Sequence, residues 1–567
     1  MAYLYDLSSS IGLQRWTLSD ITPAWSSAFP DGSRALVGSN KNSAGTGPGN
    51  VWVVDVSSGE MLFDLSNTGI GRQYWTRMVL TPDGSRAVVS ASTNSAGNGP
   101  GNMWIVDVSD GVVSFDLSNS VGPQRLTNTV ITPDGLYALV SSYESSDRHN
   151  ANGGNLWIVD INNGAVSFEL ASSVGLQPWT LIVPTSDGLR ALVGATFNVD
   201  SPGNLWIVTV NTGDTLDLTG SVGSQRWTHA VITPDGSRAL VSAYLNSASS
   251  GPGNLWALDV NDGAVLYDLS NSGIGPQFWT NTVLAPDGSR ALVSANINSS
   301  GSGQAGNLWI VDVSNGAVLY DLSNSVGPQR WANTVITPEP DWSRALVSAN
   351  TNSAGTGPGN LWIVDVSNGA VLYDLSNSVG PQRWTNTVLT SDGFRALVSA
   401  NTNSAGTGPG NLWIVDVSNG AVLYDLSNSV GPQRWTNIDI TSDGSRALVS
   451  TGNLLGKGNV WIIDLTNYGT SGTSGTTGTT GTSGTTGTSG TSVTSGTTGT
   501  TGTSGTTGTM GTSPLLPLSS SYIIGPVRNS SALTLFQVGA AVRKPIIGTL
   551  DYSFLILQQM AFSQGRL

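Results

Sequence analysis

The sequence has no cysteine. That removes disulfides, thiolate metal sites and cysteine nucleophiles. Only two histidines occur, His149 and His229, in different parts of the chain, so a histidine metal centre or a Ser-His-Asp triad is poorly supplied. Charged residues make up only 11% and the formal net charge is −14, a balance that repels phosphate backbones and anionic membrane surfaces. No apolar run approaches the roughly 18 residues of a membrane span. The opening Met-Ala-Tyr-Leu-Tyr-Asp-Leu shows neither a basic n-region nor an apolar h-region, so no signal peptide is visible. Pro, Gly, Asn and Thr are too dense for helices of ordinary length, which excludes a helical solenoid. The Gly-rich stretches (Gly355-Thr356-Gly357-Pro358-Gly359) are not followed by Gly-Lys-Ser/Thr and lack the spaced aspartates of a calcium loop. No cofactor and no metal is expected.

What the sequence does contain is repetition. The stretch Gly306–Ser323 (GNLWIVDVSNGAVLYDLS) recurs unchanged at 359–376 and 410–427, and weaker copies start at Gly49, Gly101, Gly154, Gly203, Gly253 and Gly458. Two apolar runs flank Ser-Asn-Gly, and Asn-Gly between such runs is a strong hairpin signal because both residues tolerate positive φ. One full repeat reads as four strands: A (WANTVITP, from 331), B (RALVSAN, from 344), C (NLWIVDV, from 360) and D (AVLYDLS, from 370). A–B is a Pro-Asp-Gly-Ser turn in several copies, B–C a longer Asn/Ser/Gly loop, and D–A a loop carrying Gly-Pro-Gln-Arg. Four short strands about every 50 residues, apolar on both faces, read as blades of a β-propeller, because each blade is sandwiched between two others.

The ends argue for a closed ring. The chain begins with a D-like strand, Tyr3–Ser8, that has no A, B or C before it, and the last repeat stops after its C strand at Asn459–Leu465. Pairing the two removes two exposed sheet edges. B-type strands begin at Arg34, Arg86, Tyr137, Arg190, Arg238, Arg290, Arg344, Arg395 and Arg446. The expectation is therefore all-β: a closed propeller of about nine four-stranded blades, the last completed by the N-terminal strand. The alternative is a smaller ring with repeats packed outside it. The first repeat reads as inserting Ala24-Trp25-Ser26-Ser27-Ala28-Phe29-Pro30 before its turn, and the seventh carries Pro338-Glu339-Pro340-Asp341-Trp342 instead of a simple turn.

Three regions follow: the propeller at 3–467, a Thr/Ser/Gly linker at 468–513 and an apolar, basic tail at 514–567. The linker has almost nothing to bury and reads as flexible. Its hydroxyl density suggests a secreted or cell-surface setting. The tail carries Arg528, Arg543, Lys544 and Arg566 against Asp551.

Pro-Asp-Gly-Ser-Arg-Ala-Leu-Val followed by Asn-Leu-Trp-Ile-Val-Asp-Val-Ser-Asn-Gly resembles the YVTN repeat of surface-layer and lactonase-like proteins and the TolB-type repeat. The resemblance covers the propeller region only. It implies that the Pro-Asp-Gly turn and the C-strand aspartates (Asp107, Asp160, Asp312, Asp365, Asp416) are structural. A fold shared by so many activities does not name one.

One set of residues stands out as a candidate ligand site: a Gln at the end of each D–A loop, followed in most copies by Arg and Trp. The three most alike are Gln329-Arg330-Trp331, Gln382-Arg383-Trp384 and Gln433-Arg434-Trp435. Amides and guanidinium groups ringing the channel mouth suit anions or carbohydrate hydroxyls, and indoles suit sugar faces. The competing structural assignment has Gln capping backbone groups, Arg covering a blade edge and Trp wedged between blades. The function expected is a non-catalytic scaffold presenting loops to a protein or a glycan, with no catalytic residues. The alternative is a lactonase-like hydrolase at the channel mouth, which needs unique groups such as Asp147, Arg148, His149 or His229.

Overall fold

The computed structural model describes residues 4–7, 11, 26–28, 32–42, 46–144, 154–195, 197–198, 201–246, 248, 251–297, 305–338, 342–403, 405–451, 458–466 and 468. The linker and tail expected at 468–567 lie outside these residues, apart from Tyr468.

Nine four-stranded antiparallel sheets follow one another along the chain. Blade 1 spans Ser26–Asp64, blade 2 Tyr74–Asp116, blade 3 Arg125–Glu169, blade 4 Trp179–Asp217 and blade 5 Arg226–Asp268. Blade 6 spans Phe278–Asp321, blade 7 Arg330–Asp374 and blade 8 Arg383–Asp425. Blade 9 combines Trp435–Ile440, Arg446–Thr451 and Val460–Asp464 with the N-terminal strand Leu4–Asp6. In blade 7 the strands are A Arg330–Ile336, B Arg344–Thr351, C Leu361–Asp365 and D Val371–Asp374. The same order holds in every blade. All nine B strands begin at the residues the sequence pattern gave.

The ring is closed. The A strands of consecutive blades lie side by side all the way round, and that of blade 9 lies against Ser26–Ala28 of blade 1. At the seam Leu4 pairs with Ile463, Tyr5 with Ile462 and Asp6 with Trp461. Nine apolar clusters hold the ring, one in each gap between neighbouring blades. This is why the strands are apolar on both faces: Trp362 and Val364 pack toward blade 6, while Leu361 and Ile363 pack toward blade 8. At the seam Leu7 and Ile11 join Val37 and Val54 of blade 1 and Leu448 and Ile462 of blade 9.

Two details depart from the expectation. Residues 26–28, read as part of an insertion, are the A strand of blade 1: Ala28 pairs with Ala35 and Ser26 with Val37. Pairing of Ala28 with Ala35 sets the antiparallel register, so this segment is the partner strand of Arg34–Gly38. The D–A connections are also not plain loops. Each described one holds a single helical turn, such as Ser376–Val379, where Asp374 accepts from the Ser376 N–H at 3.0 Å and the Ser376 hydroxyl accepts from the Leu361 N–H at 2.9 Å.

Two faces result. The A–B and C–D turns share one, here called the turn face; the B–C and D–A connections share the other, the loop face. On the turn face the aspartates organise backbone. Asp365 accepts from the Ser367 N–H (2.7 Å), the Ser367 hydroxyl (2.6 Å) and the Asn368 amide (2.9 Å). The Ser109 hydroxyl, outweighing partial burial, holds Asp107 below the ordinary carboxylate range; the Thr233 hydroxyl does so for Asp235 and the Ser314 hydroxyl for Asp312.

Candidate functional site

The Gln-Arg-Trp residues meet at the inner end of the loop face, and each has a distinct place. The Trp is part of the ring's core. Trp331 is 2% exposed and packs with Leu292, Leu308, Ile310 and Leu322 of blade 6. Its ring lies 5.8 Å from that of Trp362, and Trp384 and Trp435 repeat the arrangement with Trp413 and Trp461 at 5.4 and 5.6 Å. The indole N–H groups of Trp331, Trp384 and Trp435 donate to the carbonyls of Gly306, Gly359 and Gly410 in the preceding blade, at 3.1, 3.1 and 3.2 Å. Those glycines admit no side chain. A Cβ at Gly359 would stand 1.9 Å from the Ala349 carbonyl oxygen.

The Gln backbone pairs with the same glycine, so Gln329 bridges to Gly306, Gln382 to Gly359 and Gln433 to Gly410. Their side-chain amides turn back onto the helical turn and donate to the carbonyls of Val326, Val379 and Val430 at 3.3, 3.2 and 3.2 Å. The Arg is the outermost member, half-buried in all three blades. Arg383 lies along its own B–C loop, where a Cβ on Gly406 would stand 2.8 Å from Nε, and its Nη2 donates to Thr356 O in the preceding blade at 3.3 Å. Arg330 lies along Gly355 in the same way. A group approaching the mouth therefore meets guanidinium, not indole. In other blades the same position carries Tyr74, Arg125, Pro178, Arg226 and Phe278, and Phe278 lies tilted by 60° against Tyr244 with centroids 5.1 Å apart.

Just inside that rim, two residues beyond the Trp, lies a belt of buried polar side chains. Arg77 donates to Asn128 Oδ1 through Nε and Nη2, at 3.1 and 2.6 Å. Asn333 donates to Thr387 O at 3.2 Å and Asn386 to Thr436 O at 3.0 Å, each crossing to the next blade. His229 occupies this position in blade 5. It is 7% exposed, its Nδ1 has no hydrogen-bond partner, and burial pushes its pKa down to about 4. The imidazole is thus neutral and enclosed. Asp147, Arg148 and His149 lie outside the described residues. Among the described residues no group of three or more His, Cys, Asp or Glu converges.

Sequence reasoning missed a second arginine set. The Arg that opens every B strand but that of blade 3 crosses to the next blade on the turn face and donates to the carbonyl just past that blade's C strand. Arg34 reaches Val108 O (2.9 Å), Arg86 Ile161 O (2.7 Å), Arg238 Val313 O (3.0 Å), Arg290 Val366 O (2.7 Å) and Arg344 Val417 O (2.7 Å). Arg446 of blade 9 reaches Val56 O of blade 1 at 2.5 Å, latching the seam. The signal was present as an Arg recurring at a fixed offset from Asp-Gly, but its acceptor is a backbone carbonyl, which no residue type marks.

No family model matches the chain, and no curated protein matches it. Among solved structures the chain is similar to a eukaryotic initiation factor, with a TM-score of 0.49 and 12% identity, covering 72% of this chain and 89% of that one. It is similar to the Dos1 propeller, with a TM-score of 0.47 and 13% identity over 69% and 93% of the two chains. It is also similar to Chaetomium thermophilum Sqt1 bound to the N-terminus of ribosomal protein L10, with a TM-score of 0.46 and 12% identity over 77% and 95%. At this identity and overlap none of them bears on activity or partner, and the β-propeller assignment stands on the strand pairing itself.

Proposed function

We propose that this chain is a non-catalytic β-propeller scaffold that binds an acidic protein segment, or a hydroxyl-rich glycan, at the inner rim of its loop face. The observation that supports this is the placement of Arg330, Arg383 and Arg434. They are three half-buried guanidinium groups at one position of three consecutive blades, and Arg330 and Arg383 lie along the glycines of their own B–C loops. Holding a guanidinium in place before binding reduces the ordering cost of a charge-assisted contact. Repetition in adjacent blades suits an extended ligand that touches several of them. The Pro-Asp-Gly turn and the apolar-Asp strand support placing the repeats beside the YVTN and TolB types. A cell-surface setting is part of the same proposal and draws only on the composition of the linker.

The test is a peptide and glycan array probed with the full chain and with Arg330→Ala, Arg383→Ala and Arg434→Ala combined. Each lost charge-assisted bond weakens the ligand by roughly 1.5–3 kcal/mol, so the triple variant is expected to lose array binding while melting as the parent does. Retained binding by a folded triple variant refutes the site. Lactone turnover that vanishes in His149→Ala replaces the scaffold reading with the hydrolase one.

A further inference from the structure

The turn face departs from its own repeat in one sector, and the departures point the same way. After Asp-Gly the A–B turn carries Ser in most blades, where its hydroxyl donates to the second oxygen of the turn aspartate: Ser85 to Asp83 Oδ2 at 2.9 Å, Ser237 to Asp235 Oδ2 at 2.8 Å, Ser289 to Asp287 Oδ2 at 2.7 Å. Blades 3 and 4 carry Leu136 and Leu189 instead, 46% and 53% exposed. Asp134 accepts from the Thr132 hydroxyl and the Leu136 N–H, both on Oδ1. Asp187 likewise accepts on Oδ1 from Thr185 and Leu189. Phe394 makes the same change in blade 8, but there Arg395 stands 3.6 Å from Asp392 Oδ2. Blade 3 has no such cation, because Tyr137 replaces the latch arginine and packs with the apolar cluster between blades 3 and 4. Asp134 also faces blade 4 closely: a Cβ on Gly188 would stand 3.2 Å from its Cγ. Beside Leu136, between blades 2 and 3, opens a groove of about 370 Å³ bounded by Pro82, Asp83 and Asp134, with Arg86 engaged on Ile161 O at its wall.

The geometry points to a docking surface here for an extended segment of another protein that carries Lys or Arg between apolar residues. Leu136 and Leu189 supply exposed apolar contact, and the second oxygens of Asp134 and Asp187 supply acceptors without a serine donor. Tyr137 leaves Asp134 without the B-strand arginine that the other blades carry, whereas Asp187 keeps Arg190 beside it. A cationic side chain flanked by aliphatic ones matches all three. The surface lies on the opposite face from the arginine rim and does not depend on it.

The probe is a fluorescent peptide, Ala-Leu-Lys-Arg-Leu-Ala, titrated into the full chain, with Ala-Leu-Gln-Gln-Leu-Ala as its uncharged counterpart. Two variants restore the common repeat and so keep the fold: Leu136→Ser with Leu189→Ser, and Tyr137→Arg. Saturable binding of the basic peptide is expected, weakened roughly tenfold by either variant and by raised salt, and unchanged when Arg330, Arg383 and Arg434 become Ala. Equal binding of the glutamine peptide, or parent-like binding by both variants, overturns the assignment. So does a self-association of the parent that Leu136→Ser with Leu189→Ser dissolves without any peptide binding, since the occupant is then a second copy of the chain.

Discussion

His229 makes this propeller acid-sensitive in a window where little else titrates. The chain has two histidines, and the shifted turn aspartates discussed above are held below the ordinary carboxylate range. Unfolded, the imidazole takes up a proton around its ordinary value of 6.5; folded, it resists until about 4. The unfolded chain therefore binds the proton first as pH falls. Stability is full above the unfolded value, declines between the two and levels off below the folded one. A pKa unit corresponds to about 1.4 kcal/mol, so the whole effect is about 3 kcal/mol, of which about 2 kcal/mol is lost between about pH 7 and pH 5. Asparagine fills the equivalent position as Asn281, Asn333 and Asn386, all buried, so His229→Asn offers a side chain this belt already accommodates. Guanidinium titrations followed by tryptophan fluorescence are expected to show the parent losing stability from pH 7 to pH 5 and the variant losing much less. A titration of the two imidazoles by NMR reads the same quantity directly. An equal loss in both proteins, or an His229 signal that titrates near its ordinary value, refutes the reasoning.

Two further predictions concern the ring. Deleting residues 1–8 removes the strand paired with Val460–Asp464 and uncovers Leu448 and Ile462; sedimentation and thermal melting are expected to show aggregation and a lower Tm, and a monomer melting as the parent does would break the closure argument. Gly359→Ala drives a methyl into the Ala349 carbonyl, at the point where the Gln382 backbone and the Trp384 indole both bond. A loss on the order of 3 kcal/mol or more is expected in denaturant titrations, whereas Gly220→Ala, in open space, is the silent control.

The hairpins, the blade count and the closing strand were legible because they are written in local chemistry: Asn-Gly at the turn, Val-Leu-Tyr on the strand, and a leftover strand at each end. Trp331 had two places open to it in the sequence, a sugar-stacking rim or a wedge between blades, with nothing to choose between them. Its burial is decided by Gly306, whose carbonyl takes the indole N–H, and that contact exists only once neighbouring blades meet. Arg344 was harder still, because its partner is the main chain of Val417, 73 residues away. The A strand of blade 1 was misread because residues 24–30 looked like an insertion ahead of the turn, whereas the pairing of Ala28 with Ala35 makes 26–28 the strand. The structural assignment weighed against a ligand site in the sequence holds for two of the three residues, with Trp wedged between blades and Gln on backbone carbonyls, while Arg lies half-buried at the rim.

The stretch that is identical three times over, 306–331, 359–384 and 410–435, does not coincide with a blade. It begins at the C strand of one blade and ends at the Trp of the next, so what has been copied is the joint. Each copy carries both halves of one coupling: the glycine whose carbonyl receives an indole N–H, and the very indole that donates to it from the next blade. The turn-face arginine adds a coupling of the same kind, with a donor and an acceptor in every unit that has it. A chain built this way can gain or lose a whole unit without creating a mismatched neighbour, because every new boundary is chemically the same as the one it interrupts. Ring size is then limited by the curvature the joints tolerate rather than by any one blade's identity, and the terminal strand Leu4–Asp6 serves whatever number has accumulated, since it need only recognise the generic edge of a C strand.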